Sequence, residues 1–136
     1  MSADALTAAV RRFFEEVWNR GNAAAAAEFL APGFVSHNSF GIEVLGPEGY
    51  GRSVLGFREV FPDLHTTLED VIATDDRVIV RGTDRATHRA EFMGYPPTGR
   101  QVVTTWIEIF RIDDGKAIEG WLETDRKRFE EQLKAS

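Results

Sequence analysis

The dominant period of the apolar residues changes between the two halves of this chain, and that change limits the folds open to it. Up to Phe61 the apolar residues recur at helical spacing, and from His65 onward they recur at the spacing of strands. Leu6, Val10, Phe13, Phe14, Val17 and Trp18 make one helical stripe, with Ser2 or Asp4 as N-cap and Gly21-Asn22 as its stop. Ala23 to Leu30 reads as a short second helix built on an alanine run, ended by Pro32-Gly33. Phe34 to His37 reads as a short strand, and Asn38 to Gly46 as a looser stretch. Tyr50, Val54, Phe57 and Phe61 form a third helix, entered through Pro47 and broken at Pro62-Asp63.

The second half predicts strands over His65–Thr74, Arg77–Thr87, Gln101–Ile112 and Ala117–Asp125. Asp75-Asp76 and Asp113-Asp114-Gly115 are turns, and Gly94 to Gly99 is a loop. A short C-terminal helix carries Phe129 and Leu133. Helices first and antiparallel strands after them is an α+β order. With 136 residues and no linker or repeat, a single domain over 1–136 is expected. The long strand is apolar on both faces, with Val102, Trp106, Phe110 and Ile112 on one and Val103, Ile107 and Ile109 on the other. A sheet buried on both sides needs two covers. The helices supply one, and a second copy of the chain is the expected other, which makes a homodimer.

Charge and composition exclude several roles. The net charge is −6, and the densest basic run, Arg126-Lys127-Arg128, is answered at once by Glu130 and Glu131. No nucleic-acid partner is expected. Without cysteine there is no disulfide, thiolate nucleophile or cysteine-bound zinc. Charges at Asp4, Arg11, Arg12, Glu15 and Glu16 do not suit a signal peptide, and no run approaches the roughly 18 apolar residues of a membrane span. A cytoplasmic chain with no membrane partner is the expectation. The three histidines lie far apart, no phosphate loop or Gly-x-Ser-x-Gly elbow occurs, and neither metal nor organic cofactor is expected.

Several segments together carry a resemblance. They are Phe34-Val35-Ser36-His37, Gly46-Pro47-Glu48-Gly49, Phe61-Pro62-Asp63-Leu64 and Glu69-Asp70-Val71-Ile72, then Arg77-Val78-Ile79-Val80-Arg81. Ala86 to Gly94 follows, running into Pro96-Pro97-Thr98-Gly99-Arg100, and the end supplies Asp114-Gly115-Lys116, Glu119, Trp121 and Asp125. In order and spacing the chain resembles the SnoaL-like polyketide cyclases, of the nuclear transport factor 2-like superfamily. The resemblance implies a cone-shaped, curved antiparallel sheet wrapped by three N-terminal helices around one deep pocket, usually in a dimer. It also implies ring closure of an aromatic polyketide ester by intramolecular aldol condensation, without a cofactor, and it points to Asp125 as the matching aspartate.

Aldol closure needs a base at a carbon beside a carbonyl and an acid for the new alkoxide. One carboxyl group serves both turns if apolar burial raises its pKa toward neutral. Asp125 is the first candidate, with capping of the last helix as its structural alternative. Glu123 is the second, and both share a face with Glu119 and Trp121 provided no bulge intervenes. Glu108, between Trp106 and Phe110 in the long strand, is an acid on an aromatic face, for which Arg81 is the expected ion-pair partner. His37 and His88 are candidates for holding a carbonyl or enolate oxygen. Trp18, Tyr50, Phe57, Trp106 and Trp121 are candidate walls for an apolar small molecule. The same pocket would suit an isomerase or hydrolase, a binding module that leaves its ligand unchanged, or a dimerisation domain whose pocket is filled.

Overall fold

A computed structural model describes residues 1–41 and 43–134. Ile42, within the stretch expected to be loose, lies outside the described residues, as do Ala135 and Ser136 of the expected domain. Helix α1, Ala3–Phe13, is capped by Ser2, whose hydroxyl accepts from the Ala5 backbone N–H at 3.1 Å. It continues as a π-helical turn, Phe14–Asn19, and ends before Gly21, where φ is +70°. The alanine run forms a 3-10 turn, Ala23–Ala25, and then α2, Ala26–Phe29. Pro32-Gly33 is not the stop expected there. Strand β1, Leu30–Asn38, already begins at Leu30, and the Pro-Gly pair falls within its register irregularity between Leu30 and Val35.

A two-residue strand β2, Val44–Leu45, leads into α3, Gly46–Val60, with Pro47 in its first turn, where a missing N–H costs nothing. Strands β3, His65–Ala73, β4, Arg77–Thr87, β5, Gln101–Asp113, and β6, Lys116–Thr124, follow, and α4, Arg126–Leu133, closes the described chain. The six strands form one curved, unclosed sheet in the order β2-β1-β6-β5-β4-β3. One pair departs from the antiparallel pattern: β1 runs parallel to β6, a pairing between distant segments that no local turn signals.

The helices pack on one face of the sheet only. Phe13, Phe29, Phe34 and Phe110 are fully buried in the larger core, and Phe61, Phe129 and Leu133 anchor a smaller one. Burying each such side chain stabilises by about 1.5–3 kcal/mol. Along β5 the inner face carries Val102, Thr104, Trp106, Glu108, Phe110 and Ile112. The outer face keeps a cross-strand row of Ile72, Ile79, Ile109, Trp121 and His37, one residue from each of five adjacent strands.

A bulge in β6 decides which side chains enter the protein. Ile112 pairs with Ala117 while Arg111 pairs with Glu119, so Ile118 is the extra residue. Ala117 and Gly120 therefore both face the core, three apart rather than two, and Glu119, Trp121 and Glu123 turn outward.

Candidate active site

Between the inner face of the sheet and a helical cover made by the π-helical turn Phe14–Asn19, α3 and Phe129 of α4 lies a cavity of about 440 Å³. Its lining is mostly apolar and includes the aromatic side chains of Phe14, Trp18, Tyr50, Phe57 and Trp106. Two carboxyl groups, Asp84 and Glu108, face into it. Two glycines make room for them. At Gly82 an added Cβ would lie 2.2 Å from the Trp106 indole, so the ring lies flat against bare backbone of β4. At Gly120 an added Cβ would stand 3.2 Å from Glu108 Oε2 and 3.1 Å from the Phe34 ring.

Glu108 is 3% exposed, and among the described residues no donor or cation reaches its carboxyl group. Burial alone pushes that group up to about 8. Asp84 differs in having partners. Trp106 Nε1 donates to its Oδ1 at 2.9 Å, and Thr66 Oγ1 donates to the same oxygen at 2.7 Å. Burial raises its pKa, with the two hydrogen bonds pulling against it. Trp106 is in turn stacked on Phe14 at 5.2 Å.

Tyr50 lies in α3 above the sheet and accepts from Trp18 Nε1 at 2.8 Å. Burial first, and the charge of Glu108 second, hold its pKa well above the usual phenol range. The phenol keeps its proton, and among the described residues that proton has no acceptor. The cavity thus offers one unpaired acid titrating near neutrality, one permanent hydroxyl donor and one hydrogen-bonded acid. That set can remove a proton, hold the resulting oxyanion and return the proton.

Of the residues singled out in the sequence, Trp18, Tyr50, Phe57, Trp106 and Glu108 line this cavity. Asp125 is exposed and caps α4, accepting from the Arg128 backbone N–H at 3.2 Å. Glu123 and Trp121 are on the outer face, because the bulge at Ile118 reverses the side they take. His37 is also outside, with Nε2 2.7 Å from Glu119 Oε2 and its ring stacked on Trp121. Arg81 does not meet Glu108. It stands opposite Ile107 on the outer face and binds Asp70 at 2.6 Å. His88 is buried against Phe61 at 5.6 Å, and its Nδ1 accepts from the Thr98 backbone N–H at 3.3 Å, away from the cavity lining. Asp84 was not singled out. Its signal was parity, since Val78, Val80, Gly82, Asp84 and Ala86 alternate onto one face of β4.

A family model described as SnoaL-like polyketide cyclase matches residues 8–133. No curated protein matches. Among solved structures, AclR of Streptomyces galilaeus, described as a candidate hydroxylase, is 30% identical, with a TM-score of 0.84 over 97% of each chain. A candidate SnoaL-like polyketide cyclase from Jannaschia sp. CCS1 is 27% identical at a TM-score of 0.88, over 98% of this chain and 94% of that one. IdmH of Streptomyces antibioticus, a candidate polyketide cyclase, is 30% identical at 0.79, over 93% and 97%.

Proposed function

The chain belongs to the SnoaL-like polyketide cyclase family, and from that premise we propose a cofactor-free acid–base enzyme acting on an apolar or polycyclic carbonyl compound, in which Glu108 moves the proton. The leading reaction is intramolecular aldol ring closure of a polyketide ester. The observation that carries this reading is an unpaired carboxyl group, pushed up to about 8, inside an aromatic cavity. A group with that pKa is present in both forms near neutrality, which suits one that acts first as base and then as acid.

In its ionised form Glu108 takes a proton from the carbon beside a carbonyl. The Tyr50 hydroxyl donates to the oxygen on which the enolate charge develops. The enolate carbon then bonds to a second carbonyl carbon of the same molecule, whose oxygen becomes an alkoxide. Protonated Glu108 returns its proton to that alkoxide, so one C–C bond forms and no proton is gained or lost overall. The family resemblance points instead to Asp125, which lies outside the cavity as the cap of α4.

The test is turnover of an aromatic polyketide ester bearing an activated methylene, with wild type, Glu108→Gln, Asp125→Asn and a no-protein control. Glu108→Gln is expected to slow the reaction by about 10²–10⁴-fold while Asp125→Asn stays within about twofold. The reverse order, in folded variants, would overturn the assignment. Tight binding with the ester recovered unchanged would make the cavity a binding site and not a catalytic one.

A second copy of the chain is the proposed cover for the outer face of the sheet. Ile72, Ile107, Ile109 and Trp121 are all exposed there, with half-buried Ile79 of β4 between Ile72 and Ile109. A contiguous apolar patch of this kind is uncommon on a monomer. Among the described residues no helix is long and apolar enough to cross a membrane.

A further inference from the structure

Asp84 uses only half of its carboxyl group. Both donors that reach it, Trp106 Nε1 and Thr66 Oγ1, bind Oδ1. Oδ2 has no hydrogen-bond partner among the described residues, and Asp84 lines the cavity. Directly across the ladder stands Thr104, on the same inner face and in the same lining. Thr104 Oγ1 is buried and has no hydrogen-bond partner. Two residues paired across the ladder thus each keep an incomplete polar atom, one a carboxyl oxygen and the other a hydroxyl group. A buried polar group without a partner is costly, and it is ordinarily completed by whatever fills the space beside it.

We infer that Asp84 and Thr104 form a hydroxyl-recognising subsite, which anchors a phenol or alcohol group of the ligand at a point distant from Glu108. The ligand hydroxyl donates to Asp84 Oδ2 and accepts from Thr104 Oγ1–H. An ether or ketone cannot satisfy both atoms at once, because neither offers a proton to the carboxylate. Thr66 and Trp106 fix the Asp84 carboxyl from its far side, so the free oxygen is held in place. Thr104 and Glu108 lie four residues apart on one face of β5, a strand distance of roughly 13 Å. The two carboxyl groups therefore address different parts of one elongated molecule. The substrate class is narrowed to apolar ring compounds carrying a hydroxyl group well removed from the carbon that loses its proton. This rests on the cavity being a ligand site, but not on turnover.

Calorimetric titration with 2-naphthol, its methyl ether and 2-acetonaphthone tests the inference. Wild type is expected to bind 2-naphthol about tenfold tighter than the ether or the ketone. Asp84→Asn and Thr104→Val should each lose most of that preference, with thermal melts confirming that they fold. Thr104→Val suits a strand and keeps the test alive if Asp84→Asn does not fold. Glu108→Gln should keep the preference although it loses turnover. Equal binding of 2-naphthol and its ether by wild type would overturn the inference. So would a preference that survives both subsite variants, or one that disappears in Glu108→Gln. A failure of turnover with the preference intact would strike the acid–base reading and leave the subsite standing.

Discussion

Glu108 and Glu119 stand on neighbouring strands and face opposite sides of one sheet. Glu119 is on the outer face, where His37 and then Arg111 hold its carboxyl group below the usual range. Glu108 is on the inner face, where burial lifts the same chemical group to about 8. The outer face behaves as charged surfaces do: Arg81 finds Asp70, His37 finds Glu119, and each pair lies open to solvent. On the inner face Glu108 is buried, and among the described residues no donor or cation reaches it. Residue type is constant across this comparison, so the difference in chemistry comes from which side of the strand the side chain takes.

Stability against pH separates the two faces most widely. Below about pH 4.5 Glu108 is protonated in the folded and unfolded chain alike. Between about 4.5 and about 8 the unfolded chain has released that proton while the folded chain still binds it, so stability falls as pH rises, and the fall ends above 8. The loss is on the order of 5 kcal/mol. Glu119 acts with the opposite sign, since its lowered pKa gives stability that is present above the usual carboxylate value and lost as pH falls. Urea melts across this range should show the downward slope in wild type and its marked reduction in Glu108→Gln, with buried Asp84 keeping a smaller contribution of the same sign. An unchanged slope in that variant would break the comparison.

Gly82→Ala probes the inner face sterically. A methyl group there would lie 2.2 Å from the Trp106 ring, which must shift and loosen its bond to Asp84. A cost of about 1–3 kcal/mol in a denaturant melt is expected. Gly33→Ala meets nothing within 4 Å and should stay within about 0.5 kcal/mol. Equal effects would mean that the indole does not rest on bare backbone.

Ile109→Lys sharpens the comparison from the outer side. If a second copy covers this face, sedimentation equilibrium should find wild type dimeric and the variant shifted to monomer, with little change in the cavity. A monomeric wild type at tens of micromolar would remove the proposed partner.

The order of elements was legible because period and punctuation agree. Ser2, Pro47, Pro62 and Asp114-Gly115 mark boundaries that the fold uses. The parallel contact of β1 with β6 was not legible, because it joins segments more than 80 residues apart. Period 2 shows which residues share a face, and so it grouped Glu119, Trp121 and Glu123 correctly. It does not say which face is inside. The extra residue at Ile118 decides it for β6, while on β5, which runs unbroken through Glu108, both faces are apolar in sequence and the packing of Trp106 and Phe110 under the helices marks the interior. Asp84 shares its parity with Val78 and Val80, a pattern as readable as that of Glu108.

The most direct measurement is a carboxyl titration by carbon-13 NMR on the folded protein, with wild type and Glu108→Gln compared. One carboxyl group titrating near 8 in wild type and absent from the variant is the predicted result. If every carboxyl group instead titrates below about 5, in the ordinary range for exposed acids, Glu108 is not held as this account requires, and the inner face has no proton to move at neutral pH.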